Sequence, residues 1–272
     1  MKADTARTQH RRHIPKFTRH ISRRRHILEF LAAPILIILI WFVLQYTGTI
    51  SPVSLSLFGT LIYASFSTIM RIFVAFVLAL VCAVPLALVA TYSPRLQKII
   101  LPIFDIFQSV PVLAFFPLLV AIFISAGLTE AAAISILFLA MLWNITFEII
   151  GGVGLIPRDI IYAAEIFGLR RWQYIKRVLL PAIVPQTTIG SMLAVAQGWN
   201  IIIVAEVIRA YLPPDTAIQN LTGIGSMLVS ASASGNTGMF IATLTTIIII
   251  IAIANFLIWQ PLLVYAQKFR FE

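Results

Sequence analysis

Long apolar runs separated by short polar segments dominate this chain, and several reach the roughly 20 residues that a helix needs to cross a bilayer. The pattern predicts six membrane-spanning helices and therefore an all-α integral membrane fold. The predicted spans are Leu28–Thr47, a stretch within Leu61–Thr91, a stretch within Leu101–Ser125, Thr129–Gly151, Val184–Ile208 and Met239–Tyr265.

Prolines interrupt this pattern at two places. Pro102, Pro111 and Pro117 are expected to break the third span, because proline lacks a backbone N–H and clashes with the preceding turn. Such breaks recur at transport pathways; alternatively, Pro102 and Pro111 only mark a re-entrant or interfacial entry into the span. Pro181 is expected to break the chain before the fifth span. The Gly-, Ser- and Ala-rich stretch 223–238 predicts a flexible loop.

Composition supports the membrane assignment and excludes several kinds of chemistry. Of the 272 residues, 60% are hydrophobic and 11% charged, against roughly 45–50% and 25% in soluble domains. Cys82 is the single cysteine, and all four histidines lie within residues 1–26. We therefore expect no Cys- or His-based catalysis and no metal site in residues 27–272. The sequence also lacks the G-x-x-x-x-G-K-[ST] phosphate loop, so ATP is not expected to bind here by that route.

The distribution of charge predicts the orientation. Residues 1–26 form a strongly basic tail, expected to lie in the cytoplasm on anionic lipid, and residues 27–272 form the six-span domain. The tail has one aromatic residue and no folded scaffold, so nucleic-acid binding is not expected. All but two of the 20 Lys and Arg residues, Arg71 and Arg209, fall on the cytoplasmic side if both termini are inside. This satisfies the positive-inside rule.

A polar segment between the fourth and fifth spans carries the most specific pattern. Residues 157–185 read PRDIIYAAEIFGLRRWQYIKRVLLPAIVP. Asp159 is placed to cap a first helix, and Gly168 is suited to end it. A second apolar stripe with interleaved basic residues follows. The segment predicts a helix, a tight turn and a second helix at the cytoplasmic end of the bundle.

This segment resembles the EAA loop of permease subunits of bacterial ABC importers. Ala163-Ala164 are followed by three residues and Gly168, and nine further residues lead to Val178-Leu179-Leu180-Pro181. Tyr162 stands where the first Glu of the pattern is usual, Val178 replaces Ile, and Glu165 lies in the spacer. The resemblance implies a coupling helix that docks on a separate ATPase subunit. The implied coupling residues are Ala163, Ala164, Glu165, Gly168, Leu169, Leu180 and Pro181.

The resemblance covers about residues 60–265 and points to the nitrate/sulfonate/taurine branch of that family. The segments that show this resemblance are SVPVLAFFPLL from Ser109, AQGWN from Ala196, Ala205-Glu206 and Gly223-Ile224-Gly225. In the second span, alanines such as Ala83 and Ala87 replace glycines of the family pattern, which could tighten packing.

The resemblance implies a type I importer permease in the prokaryotic inner membrane, without catalytic residues of its own. The implied partners are ATPase subunits that bind ATP and Mg²⁺, a second permease copy or sister chain, and an extracytoplasmic solute-binding protein. The implied solute is a small anion such as nitrate, a sulfonate, taurine or bicarbonate.

Polar residues within the spans are candidates for the translocation pathway or gate. Arg71 could attract an anion or line a gate; alternatively, it forms a structural pair with Glu206 or extends its head group to the interface. Glu206, at the outer end of the fifth span, is a further candidate for the gate. Gln197, Trp199 and Asn200 lie near the middle of the fifth span, which lines the pore in the family. Helix–helix hydrogen bonding explains such amides equally well.

Two other functions compete with this interpretation. An autonomous secondary transporter or channel would need an ion-coupling site within the chain, and buried acids are few. An integral-membrane enzyme would need catalytic groups, whereas the spans lack histidines and paired carboxylates on one face.

Overall fold

The computed structural model describes residue 39 and residues 55–91, 93–212 and 219–269. The predicted tail, residues 1–26, lies outside the described residues, and so does the first predicted span apart from residue 39. Within the described ranges the chain is helical and contains no strand. The helices are α1 Leu55–Thr91, α2 Pro94–Ser109, α3 Phe116–Ser125, α4 Thr129–Gly154, α5 Arg158–Ile166, α6 Arg171–Tyr174, α7 Leu180–Glu206, α8 Ile224–Ala233, α9 Thr237–Ala254 and α10 Gln260–Ala266.

Four helical stretches in the described part are long and apolar enough to cross a membrane. They are Leu57–Thr91, Thr129–Gly154, Arg171–Glu206 and Thr237–Phe269. They coincide with the second, fourth, fifth and sixth predicted spans. A fifth crossing is formed if the bent pair Arg95–Ser109 and Val112–Ser125 counts as one span. The structure therefore confirms the all-helical membrane fold and four of the predicted spans.

The third predicted span is broken at Pro111 as expected, but the breaks expected at Pro102 and Pro117 are wrong. Two helical pieces meet at an angle of 80°, and the one break lies at Pro111, where Val110 is extended at φ −71° and ψ 126°. Proline disfavours helical geometry in the residue before it, which explains the corner. Pro102 lies inside α2 and Pro117 lies in the first turn of α3, where a missing N–H costs little.

The predicted break at Pro181 is also wrong. The chain stays helical from Arg171 to Glu206, with a π-helical segment at Ile175–Leu179. There the Leu180 N–H donates to the carbonyl of Ile175, five residues back. A π turn absorbs the ring of the following proline, which would otherwise meet the carbonyl four residues earlier. A second π segment, Asn255–Trp259, precedes Pro261 in the same way.

The bundle core forms where α4 packs between α1 and α7. On α1, alanines spaced four residues apart lie on one face and are fully buried: Ala75, Ala79, Ala83 and Ala87. On α7, the corresponding contact face carries Gly190, Ala194 and Gly198. Small side chains at this spacing let membrane helices approach closely. The three helices therefore form the rigid scaffold that positions the polar groups described below.

The stretch 223–238, predicted to be a flexible loop, instead contains the helix α8. Ile224, Met227, Leu228 and Ala231 are buried and follow helical spacing. Its Gly-, Ser- and Ala-rich composition obscured this apolar stripe. Asn236 then caps α9 by accepting from the Met239 N–H at 3.0 Å.

Candidate functional site

Residues 157–181, which we call the polar hairpin, lie at one end of the bundle between α4 and α7. Its first helix, α5, starts after Pro157, so Asp159 lies in the first turn rather than at the predicted cap position. Its second helix, α6, starts where the Gln173 side chain accepts from the Arg170 N–H at 3.1 Å. Because α6 continues through the π segment into α7, the hairpin is joined rigidly to a membrane-spanning helix.

The Ala-Ala-x₃-Gly spacing has a structural explanation at the end of α5. The Leu169 N–H donates to the Ala164 carbonyl at 3.1 Å and the Gly168 N–H donates to the Glu165 carbonyl at 2.9 Å. This pair of bonds is the Schellman motif, which needs a left-handed residue at its penultimate position. Gly168 supplies that geometry at φ 64°. Ala164, whose carbonyl accepts the Leu169 bond, is itself buried.

Large apolar side chains are exposed at the tip of the polar hairpin. Ile166 is 83% exposed and Phe167 is 81% exposed, with Tyr162 and Trp172 also exposed. Charged residues surround them along the hairpin: Arg158, Asp159, Glu165, Arg170, Arg171, Lys176 and Arg177. These charged neighbours distinguish the tip from the spans, whose exposed apolar residues lie within long uncharged stretches.

The predicted coupling residues divide into two groups. Ala163, Ala164, Glu165, Gly168 and Leu169 lie together at the end of α5. Leu180 and Pro181 lie at the root of the hairpin, where α7 begins. Pro181 shares a cavity of about 290 Å³ there with Ile160 of α5 and with Lys268.

A buried ion cluster, which we call the charge clasp, occupies the opposite end of α4 and α7. Arg71 Nη1 donates to Glu206 Oε1 at 2.8 Å. The same guanidinium donates from Nε to Glu130 Oε2 at 2.6 Å and from Nη2 to Glu130 Oε1 at 2.8 Å. Arg71 Nη1 also donates to the Thr222 carbonyl at 2.8 Å. Arg71 is 6% exposed, Glu206 0% and Glu130 56%.

The Glu206 carboxylate also fixes the start of α8. It accepts from the Thr68 hydroxyl at 2.6 Å and from the Gly225 and Ser226 N–H groups at 2.7 and 3.2 Å. The free N–H groups of a first helical turn favour such a carboxylate. A Cβ on Gly225 would lie 2.8 Å from the Ile203 Cα, so only glycine permits this approach.

The Arg71–Glu206 contact was one of two roles considered for these residues from sequence, and the structure shows it. Glu130 and Thr68 are partners that the sequence analysis missed. Thr68 lies one turn before Arg71 on the same helix face, and Glu130 opens α4 on the side where α7 ends. These two positions are the sequence features from which the contacts of Thr68 and Glu130 with the Arg71–Glu206 pair could have been predicted. Whether Arg71 or Glu206 contacts a solute stays a prediction.

The remaining pathway candidates face three different environments. Gln197 lines a cavity of about 320 Å³, which we call the elbow cavity because it lies at the Pro111 corner. Trp199 lines an apolar groove of about 490 Å³ between α1, α7 and the last helices. Asn200 is exposed. The five predicted pathway residues therefore do not form one site, and their role in transport stays a prediction. The elbow cavity is lined by Phe107, Gln108, Val110, Pro111, Val112, Phe115, Leu139, Ala140, Trp143, Asn144 and Gln197.

Comparison with known families gives one match over most of the chain. The family described as binding-protein-dependent transport system inner membrane component matches residues 79–263. This range includes the polar hairpin, the elbow cavity and Glu206.

Curated proteins with similar sequences are permeases. The taurine transport system permease protein TauC of Escherichia coli (strain K12) is 28% identical over 184 residues, 68% of this chain and 62% of that protein. The nitrate import permease protein NrtB of Leptolyngbya laminosa is 29% identical over 170 residues, 62% of this chain and 56% of that protein. The match thus spans about three fifths of the length of these relatives.

A solved structure shares the fold. A chain of the MetNI methionine ABC transporter in an inward-facing conformation superposes with a TM-score of 0.67 at 17% identity, covering 80% of this chain and all of that chain.

Proposed function

The chain belongs to the family of binding-protein-dependent transport system inner membrane components, and we propose that it forms half of the membrane pore of an ATP-driven importer. Family membership agrees with the resemblance drawn from the polar hairpin. In this proposal the fold is that of a type I importer permease with six spans, the first being Leu28–Thr47. The distribution of basic residues supports a cytoplasmic location of both termini.

The observation that carries the proposal is the exposed apolar tip of the polar hairpin. Ile166 and Phe167 project from a charged segment on a rigid, Schellman-capped helix end. Exposed apolar groups in such a setting mark a protein contact. We take α5 as the coupling helix and its partner as a separate ATPase subunit, where ATP and Mg²⁺ bind. This chain contributes no catalytic residue to hydrolysis.

Two further partners complete the proposed assembly. On α7, Leu193, Ala196 and Asn200 form an exposed stripe at helical spacing, suited to face a second permease across the pore. At the opposite end from the hairpin, exposed residues 232–237 follow α8. This surface is placed to receive an extracytoplasmic solute-binding protein. The relatives TauC and NrtB, named for taurine and nitrate, support a small anionic solute.

An autonomous carrier is less well supported. Such a carrier would couple transport to an ion through titratable groups within the membrane. In the described part of the chain, Arg71 and Glu206 are the buried charged residues. They are engaged with each other and with Thr68 and the start of α8. Glu206 is therefore not a free acid available for ion coupling.

Purification of tagged permease from its native membranes tests the proposal. We expect an ATP-hydrolysing subunit to co-purify with the wild-type chain. The Ile166→Ser/Phe167→Ser variant should lose it, because those side chains make the contact and their exposure means that folding does not depend on them. Leu128→Ser is the control, since Leu128 is also an exposed apolar residue, at 54%, but lies in the turn before α4, at the other end of that helix. Solute uptake by the purified chain without ATP would instead establish the autonomous carrier.

A further inference from the structure

The elbow cavity is a polar site at mid-depth in the bundle. Asn144 lies near the middle of α4, and Gln197 lies nine residues before Glu206 on α7, about 14 Å along the axis at ~1.5 Å per residue. Both positions lie at least nine residues from either end of helices that are long and apolar enough to cross a membrane. Amide groups at this depth are costly unless they are hydrogen-bonded or hydrated.

The amides that line the cavity have unused hydrogen-bonding capacity. The Asn144 Nδ2 donates to the Ala140 carbonyl at 3.2 Å, which uses one of its two N–H groups. Across the described ranges, the side-chain amides of Gln108 and Gln197 form no hydrogen bond to another residue. Their exposure to a cavity of about 320 Å³ means that water or a solute must satisfy them.

The lining offers N–H donors to an oxyanion and no carboxylate to a cation. No charged side chain is among the lining residues, so a cation would find no carboxylate. Each amide offers N–H donors as well as a carbonyl oxygen with two lone pairs, whereas the indole of Trp143 is a donor only. The Trp143 ring stacks on Phe107 with centroids 6.1 Å apart, which covers one aromatic face that could otherwise attract a cation.

We propose that the elbow cavity is a transient binding station for a small oxyanion, of nitrate or sulfonate type, held by Gln108, Asn144 and Gln197. The inference rests on the proposed function for the idea that a solute crosses at this point. At ~30 Å³ per water, the cavity holds roughly ten waters, enough for such an anion with part of its hydration shell. Neutral donors hold the anion weakly enough to release it, as transport requires.

Cysteine labelling tests this assignment without knowledge of the physiological solute. In a Cys82→Ser background, Gln197→Cys and Gln108→Cys variants of the full chain are purified in detergent. Each is reacted with two methanethiosulfonates of equal length, one ending in a sulfonate and one in a trimethylammonium group. The thiolate attacks the thiosulfonate sulfur, forms a mixed disulfide and releases methanesulfinate. Rates are normalised to Leu128→Cys, which is exposed outside the cavity.

At both cavity positions we expect the sulfonate reagent to react about tenfold faster than the cationic one after normalisation. Excess sodium nitrate should slow that reaction relative to sodium gluconate at equal ionic strength, because nitrate occupies the station. Equal rates, faster reaction of the cation, no reaction at residue 197, or no protection by nitrate would each overturn the assignment. A chain that co-purifies with no ATP-hydrolysing subunit overturns the proposed function instead, and the labelling ratio does not depend on that result.

Discussion

At the scale of single residues, the charge clasp explains why charged groups persist inside an apolar bundle. Arg71 is held by two carboxylates and a carbonyl, and Glu206 is held by Arg71, a hydroxyl and two backbone N–H groups. A buried charge is tolerated when every hydrogen-bonding valence is met. The geometry therefore favours a structural role for Arg71 in joining α1, α4, α7 and α8.

Removing a buried charge from the charge clasp should lower the free energy of unfolding far more than removing the charge of the exposed Glu130. Arg71→Met leaves Glu206 buried without a counter-charge, which costs about 3–5 kcal/mol. Glu130→Gln breaks only the pair with a partly exposed carboxylate, worth about 0–1 kcal/mol after solvent screening. Thermal unfolding in detergent should therefore show a much larger loss for Arg71→Met. Equal losses for the two variants would mean that burial of Glu206 does not govern the stability of the clasp.

A double variant provides the matched control. Arg71→Met/Glu206→Met replaces both buried charges with apolar groups, and such replacements of a whole pair are often neutral. We expect it to recover part of the stability lost in Arg71→Met alone. If the double variant is as unstable as the sum of the two single variants, the two side chains do not act as a pair.

Gly168 should be intolerant of any side chain. In Gly168→Ala, the left-handed conformation at φ 64° costs about 1–2 kcal/mol. That corresponds to a factor of about 5–30 in the local equilibrium, and hydrogen exchange at the Leu169 amide should accelerate by that factor. Gly154→Ala is the control, because its Cβ would meet open space and its backbone is not left-handed. An unchanged exchange rate in Gly168→Ala would contradict the Schellman cap.

At the scale of elements, glycines at the α4–α7 contact set how closely the two helices approach. A Cβ on Gly190 would lie 2.9 Å from the Glu148 Cβ and 3.1 Å from the Ile145 Cα. A Cβ on Gly198 would instead meet the terminal methyl of Met141. Backbone atoms cannot move aside without shifting a helix, whereas the end of a methionine side chain can.

Alanine substitutions at these glycines should therefore differ in how far they lower the free energy of unfolding. Gly190→Ala should destabilise by about 1–3 kcal/mol through overpacking, and Gly198→Ala by less, because Met141 can change rotamer. Gly151→Ala, which faces open space, should be neutral or stabilising by up to about 1 kcal/mol. Thermal unfolding of the three variants measures this order. A larger loss for Gly198→Ala than for Gly190→Ala would show that the helices pack differently.

The elements were largely predictable from sequence, and the errors have a common cause. Runs of apolar residues located four spans, and the spacing of Ala163, Ala164 and Gly168 located the turn of the polar hairpin. The helix-breaking effect of proline was over-estimated. Pro102 lies inside a continuing helix, Pro117 lies in a first helical turn where a missing N–H costs little, and a π turn accommodates the ring of Pro181. Local pattern also could not reveal α8, whose apolar stripe is buried only in the assembled bundle.

The charge clasp marks the limit of sequence reasoning. Arg71 meets Glu130 and Glu206, which lie 59 and 135 residues away along the chain. Only the packing of α1 against α4 and α7 brings them together. The position of the charged Arg71 within a predicted span indicated that it needed a partner, and Glu206 was the partner proposed from sequence. Nothing local distinguished Glu130 from an ordinary interfacial acid.

At the scale of the whole molecule, the polar hairpin and the charge clasp occupy opposite ends of one continuous helix. The stretch Arg171–Glu206 is 36 residues long, about 54 Å at ~1.5 Å per residue. A displacement of the polar hairpin would therefore be transmitted along this helix to Glu206 and the start of α8. In the proposed importer, this helix transmits the movement of an ATPase subunit to the far side of the membrane, and the elbow cavity lies along its length.

The most direct test is photo-cross-linking from the tip of the polar hairpin in living cells. A benzophenone side chain is incorporated at Phe167, which is 81% exposed, and at Leu128 as the control, and the cross-linked proteins are identified by mass spectrometry. The account predicts that position 167 captures a protein with a nucleotide-binding phosphate loop and that position 128 does not. Capture of lipid alone, or of an extracytoplasmic protein, at position 167 would contradict it.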